Sequence, residues 1–310
     1  MKFKKICAHY GSSVFITKNL PFHKVTKTLG STITLYLLLL ILVGFGTSCK
    51  RQQSSAMATE DLRDVEKWTL IFEEDFDQDL GQWNAWNSGA FNEEIQLYRP
   101  EQLSLEKGIL KINIKREAVS GAATISDPSI KDFEYVSGRI ESKVQFGPSD
   151  QEGQNAYRFL ARIKLPAGHG MWPAFWTYGD QWPTRGEIDI LEAWGGRPNE
   201  YLTNLFFGTE EGININSGTD ILHKMGMDLT SNFHIYEMIW QENNVRIYFD
   251  EKLIHTYMAN DSNNIEHFFG KKHKVVLNTA VGGTFFKDRD SDKYVDSSTM
   301  EIDWVKVYKR

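Results

Sequence analysis

The sequence predicts an all-β fold, a β-sandwich or jelly roll of antiparallel sheets. Three observations carry that reading: short runs alternate apolar and polar residues, turn residues punctuate them, and no segment holds a long helical period. Leu110-Lys111-Ile112-Asn113-Ile114-Lys115 alternates cleanly. Val136 to Phe146 follows the same period, which sets Arg139, Glu141, Lys143 and Gln145 on an outward face. Tyr157 to Ile163 keeps it too, apart from Leu160. Such runs suit strands that rest one face on a core and turn the other to solvent. Asn243-Asn244 separates the run Phe233 to Trp240 from Val245 to Phe249, and Asp250-Glu251 introduces the next, so hairpins are expected here. Asp61 to Lys67 makes at most a short helix, and neither an internal repeat nor a second folded domain is evident.

The 310 residues are enough for one large β domain, and a hydrophobic content of 41% is enough for its core. A formal charge of −6 points away from a nucleic-acid partner. Aromatic residues are abundant, with 9 Trp, 12 Tyr and 19 Phe. Most belong in a core, and a minority can serve as platforms for sugar rings, whose C–H faces pack on indole and phenol. His169, His223, His234, His255, His267 and His273 show no metal-ligand spacing, and no serine sits in a nucleophile elbow.

The first fifty residues read separately. Lys2, Lys4, Lys5, Lys18, Lys24 and Lys27 form a basic leader before the apolar run Ile33 to Phe45, which is short for a membrane span and suitable for a signal-peptide core. It ends at Gly46-Thr47-Ser48-Cys49, which resembles the cleavage site of a bacterial lipoprotein, although Gly46 stands where leucine is usual. The expected organisation is a lipoprotein-type signal peptide over 1–48, a flexible polar tether over 49–64 and a folded domain over 65–310, exported and held at a membrane by lipid on Cys49. An ordinary signal peptide with an incidental cysteine is the alternative. Cys7 leaves with the leader, so the folded domain has no thiol for a disulfide, a zinc site or a nucleophile.

Charge is out of place in one apolar run. Glu187-Ile188-Asp189-Ile190-Leu191-Glu192 holds three carboxylates in six positions. In a regular strand Glu187 and Asp189 share a face while Glu192 points to the other. One extra residue accommodated as a β-bulge returns Glu192 to the side of its partners. Two glutamates flanking an aspartate on one face suit glycoside hydrolysis with retention, in which one carboxylate attacks and a second, about 5–5.5 Å away, donates a proton. Acids merely solvated on an edge strand are the plainer reading, and the isoleucines and leucine between them argue against it.

These residues, preceded by Gly170-Met171-Trp172-Pro173-Ala174-Phe175-Trp176, resemble glycoside hydrolase family 16, in the laminarinase and agarase branch that carries the E-x-D-x-x-E motif. Trp68 to Phe76, Asn92 to Pro100, Ala161 to Pro166, Leu277 to Gly283 and Asp303 to Tyr308 agree in order, so the resemblance spans 68–310. It implies a jelly roll of the concanavalin A-like lectin and glucanase type, with a sugar-binding cleft across a concave sheet. It also implies Glu187 as nucleophile, Glu192 as acid and base, and Asp189 assisting between them. Trp172 and Trp176 would stack sugars beside the cleavage point, with two core tryptophans as the alternative. Trp182, Trp194, Asn92, Glu94 and Arg99 are further candidates for the substrate site. No cofactor is required for catalysis. A structural calcium on Asp75 and Asp303 is the one metal the resemblance suggests, although Asp75 replaces the usual glutamate.

The strand after the hexad departs from the pattern. Laminarinase-like sequences commonly carry a histidine there, whereas this chain has Thr203-Asn204-Leu205-Phe206-Phe207-Gly208. Asn204 therefore joins the candidate substrate contacts, and the polar stretch Gly147 to Ala156 is a second departure. The expected function is endo-acting cleavage of a polysaccharide, a β-1,3-glucan as the best single substrate, by a monomer. An endo-β-galactosidase and a non-catalytic carbohydrate-binding protein are the alternatives; a pure binder has no need of two glutamates with a bulge between them.

Overall fold

The computed structural model describes residues 67–148, 155–268 and 270–310. The expected leader, tether and Cys49, together with most of the Gly147–Ala156 stretch, lie outside them. Seventeen strands follow one another among the described residues, with only short 3-10 turns at Pro100–Gln102, Ile265–His267 and Ser291–Lys293. In chain order they are β1 (Thr69–Glu74), β2 (Trp83–Ala85), β3 (Gln96–Tyr98), β4 (Leu103–Glu106), β5 (Ile109–Ala122), β6 (Ile130–Ser137), β7 (Arg139–Ser142), β8 (Ala156–Lys164) and β9 (Met171–Tyr178). Then come β10 (Glu187–Ala193), β11 (Glu200–Phe206), β12 (Ile221–Lys224), β13 (His234–Gln241), β14 (Asn244–Phe249), β15 (Lys252–Met258), β16 (Lys274–Val281) and β17 (Ser297–Lys309).

They form two sheets, as the alternation requires. One has ten strands in the order β15-β14-β13-β8-β17-β5-β6-β3, with β1 also on β17 and β4 also on β5. The other has seven, in the order β12-β11-β10-β9-β16-β7-β2. All pairs are antiparallel except the short contact of β3 with β6. The core lies between the sheets: Phe159, Ile163, Met238, Trp240, Val305 and Val307 meet Phe175, Ile188, Ile190, Leu191, Leu205 and Leu277. Each large side chain taken out of water contributes roughly 1.5–3 kcal/mol.

Two local readings need correction. The run Val136 to Phe146 is not one strand but crosses between layers at Gly138, with β6 in the ten-stranded sheet and β7 in the seven-stranded one. A Cβ at Gly138 would sit 2.6 Å from Leu103 Cδ2, so the crossing needs glycine. Arg139 and Glu141 are consequently buried, not solvent-facing. In the first hairpin the strands are joined by Glu242-Asn243, since Gln241 pairs with Asn244. The next turn, Asp250-Glu251, has φ of 42° and 70°, the left-handed pair that a two-residue hairpin of matching twist requires.

Candidate active site

β10 is the third strand of the seven-stranded sheet, and it is bulged. On one side Asp189 pairs with Trp176 and Leu191 with Phe175, the register slipping between them. On the other, Asp189 pairs with Asn204 and Glu192 with Leu202, again with a slip. Ile190 and Leu191 are both fully buried in the core, so two successive residues point inward. That doubling turns Glu192 outward again, and the three acids share the face away from the core.

This outer face is polar yet largely shielded from water. Asp189, Arg139, Glu141 and Asn278 are 3%, 7%, 5% and 6% exposed. The side chains around the acids are thus shielded from water, and the carboxylates respond to that. Burial pushes Glu187 well above the usual carboxylate range, helped by the charge of Glu192 and opposed by a hydrogen bond from Trp182 and the guanidinium of Arg139. Burial also lifts Glu192; Trp172 opposes this, while the charges of Glu94 and Asp220 add to it. Asp189 is driven well above the carboxylate range by burial and then by both glutamates. Its Oδ2 is buried with no hydrogen-bond partner among the described residues, which suits a protonated carboxyl. Three acids this close lose their protons as one group, holding at least one at neutral pH.

Aromatic side chains frame the acids. Trp172 Nε1 donates to Glu192 Oε1 at 3.1 Å, and Trp176 Nε1 donates to Asn278 Oδ1 at 2.8 Å. Both tryptophans are half-buried on the face of the acids, and Trp176 stacks on Tyr178 at 5.2 Å. Trp182 reaches Glu187 and tilts against Phe206. Trp194 lies parallel to Phe285, which lies parallel to Trp172.

Of the remaining candidates, Glu94 is buried near enough for its charge to act on Glu192. It accepts from Gln96 Nε2 at 2.7 Å and from Tyr98 Oη at 3.4 Å, while Asn278 Nδ2 donates to that same Tyr98 oxygen at 3.1 Å. Burial raises the Glu94 pKa despite the hydrogen bond from Gln96. Asn92 is exposed, and its carbonyl takes the Thr284 N–H at 2.7 Å. Asn204 stands opposite Asp189, its Oδ1 accepting from Thr219 Oγ1 at 2.6 Å and from the Leu205 N–H at 2.9 Å. Arg99 is placed elsewhere: its guanidinium faces Glu101 and Glu117 at 3.5 and 3.7 Å, and neither belongs to the seven-stranded sheet.

The guanidinium beside the acids belongs to Arg139, which the sequence reading had turned to solvent. It lies 3.7 Å above the Trp86 ring and 4.8 Å from the Trp176 ring, and it pairs with Glu141 at 2.6 Å. The signal available for it was slight: alternation places Arg139 and Glu141 on one face without saying whether that face is wet.

The calcium expectation does not fit the residues as placed. The Asp303 carboxylate is paired with Arg162, and Asp75 Oδ1 caps its own turn at the Asp77 N–H. A cation there would have to displace a guanidinium. Among the described residues no cluster of three or more His, Cys, Asp or Glu side chains could hold a metal ion.

The family model described as Glycosyl hydrolases family 16 matches residues 92–306. The chain is 29% identical over 267 residues to Glucan endo-1,3-beta-glucosidase A1 of Niallia circulans, covering 77% of this chain but only 38% of that protein. It is also 29% identical over 270 residues to Glucan endo-1,3-beta-glucosidase of Cryptopygus antarcticus, covering 78% and 92%. Among solved structures, the catalytic domain of an endo-1,3-beta-glucanase (laminarinase) from Thermotoga petrophila superposes with a TM-score of 0.64 at 27% identity, over 78% of this chain and 97% of that one. A match that runs through both sheets and takes in the whole three-acid strand leaves one assignment: this chain belongs to glycosyl hydrolases family 16.

Proposed function

We propose that the protein is a retaining, endo-acting β-glycanase whose substrate is a β-1,3-glucan. The bulge in β10 carries this reading, because it sets Glu187, Asp189 and Glu192 on one face of one strand. Glu187 attacks the anomeric carbon as the bond to the leaving oxygen breaks, and Glu192 gives that oxygen its proton. Water then attacks the same carbon, Glu192 takes the water proton, and the ester to Glu187 is released with net retention. Asp189, held protonated by burial, spares its two neighbours a third negative charge and so eases the ionisation of one of them. Two strands lie beyond β10 on one side and four on the other, which gives sugar units room on both sides of the scissile bond and favours internal cleavage. The 1,3-glucan assignment draws on the relatives named above. Export and lipid attachment at Cys49 belong to the same proposal, on the leader sequence alone; mass spectrometry of the mature N-terminus tests them.

Release of reducing ends from laminarin, mixed-linkage glucan, agarose, carrageenan and mucin glycans tests the substrate. Fast release of short oligosaccharides from laminarin is expected. Release from agarose, carrageenan or mucin alone would move the substrate to a galactan. Glu187→Gln and Glu192→Gln should each lower turnover on the true substrate by about 10³-fold or more while leaving sugar binding intact. Near-normal turnover in either variant removes that residue from its role.

A further inference from the structure

Phe285 has an unusual position for a half-exposed side chain. Its ring lies 4.3 Å from Trp172 at an interplanar angle of 6°, and 4.4 Å from Trp194 at 13°, so it is the middle layer of a three-ring stack. The segment that carries it is tied down on both sides. Gly283, at φ +76°, approaches so closely that a Cβ there would meet the Asn92 carbonyl at 2.7 Å, and the Thr284 N–H donates to the same oxygen. The next residue, Phe286, is 6% exposed and packs against His169 and Tyr294, so it anchors the loop and leaves Phe285 free for another task. Beyond the stack, Trp194 Nε1 donates to the Phe285 carbonyl at 3.3 Å, and the Arg197 guanidinium lies 4.7 Å above the Trp194 ring. On the near side, the indole that Phe285 covers is the one whose N–H bonds Glu192 Oε1.

We propose that Phe285 is a positioning residue for the proton donor: by clamping the Trp172 indole in plane against Trp194, it holds the Trp172 N–H on one oxygen of Glu192 and leaves the other oxygen to carry the proton. The inference rests on the assignment of Glu192 as acid and base. Trp172 extends from β9 and meets Glu192 across the strand pair, and an indole on a strand has rotamers that would swing its N–H away. Parallel stacking on a ring that is itself backed by Trp194 removes those rotamers. The bond so held favours the charged form of Glu192 and opposes the effect of burial.

Phe285→Ala is expected to lower kcat roughly tenfold, a fraction of the 10²–10⁴ that a positioned acid supplies, with KM little changed. Losing the bond raises the Glu192 pKa, so the alkaline limb of the kcat profile should move to higher pH. Phe285→Tyr should restore both values. Trp172→Phe should move the limb the same way, and Phe285→Ala added to it should move the limb no further. A change in KM alone would mean that the slot between the indoles serves a sugar ring and would overturn the proposal, as would an unmoved limb in Phe285→Ala. The role of Glu192 is tested apart from this: Glu192→Ala should still form the glycosyl-enzyme from an aryl glycoside whose leaving group needs no proton. Failure there removes Glu192 as the donor. Success there, with an unmoved limb in Phe285→Ala, removes only Phe285.

Discussion

Arg139 sits between two indoles with Glu141 against it, and its charge lowers the proton affinity of both Glu187 and Glu94. Replacing it with methionine should therefore raise the Glu187 pKa further and shift the acid limb of kcat/KM to higher pH. Lys274 at 3.7 Å and the Tyr178 hydroxyl at 3.1 Å still face Glu141 in that variant, so the fold should survive at a cost of about 3 kcal/mol for the broken pair. A pH–rate profile beside a melting curve separates the two effects, and an unmoved limb would show that the charge does not reach the acids. Legibility at this scale divides sharply. Glu187, Asp189 and Glu192 stood out because isoleucine and leucine surround them. Arg139, Tyr98 and Asn278 did not, because polar residues shielded from water alternate along a strand just as solvated ones do. Arg99 shows the complementary limit: a polar turn near the right sequence block says nothing of where its side chain ends, and here it faces Glu101 and Glu117.

Within an element the bulge is the main device, and its geometry can be tested by length. Inserting one alanine between Ile190 and Leu191 restores plain alternation and keeps Glu192 outward. It also moves Glu192 two strand positions further from Glu187 than the bulged strand does, about 6–7 Å. That variant should fold, as read by circular dichroism, and lose at least about 10³-fold in turnover, since retention needs carboxyls about 5–5.5 Å apart. Deleting Ile190 also restores alternation without adding to the separation, so it should retain measurable activity despite losing a core side chain. Equal activity in the two would mean that spacing along β10 is not what the bulge provides. The need for a bulge was visible in the sequence, because the acid positions are out of phase by one. The change of sheet at Gly138 was not visible, since the alternation continues through it from Val136 to Phe146 and a lone glycine has many uses.

For the whole molecule, the acids tie stability to pH. With Asp189 as one coupled group, Glu187 and Glu192 hold protons in the folded state from 4.5, the ordinary carboxyl value, up to about 8. Between those limits the folded chain binds more protons than the unfolded one, so stability falls as pH rises through the window. Glu187→Gln should therefore raise the melting temperature at pH 8.5 by several degrees, on the order of 2 kcal/mol after allowing for a carboxyl that is only half-buried, and change little at pH 4. The same gain at both pH values would mean that charge is not its source. The two-layer architecture was legible throughout because a sandwich imposes one period on nearly every strand. The pairing order was not, since period alone does not say which strands are neighbours.

That order has a consequence for how the molecule is made. β17 lies between β8 and β5 and also carries β1, so the middle of the ten-stranded sheet comes from residues 297–309. Until that stretch is in place, β5 and β8 have bare edges with their amides and carbonyls open to any passing strand. The chain thus waits, adhesive and half-assembled, for residues 297–309, and it is then that a holdase chaperone would find the most to bind.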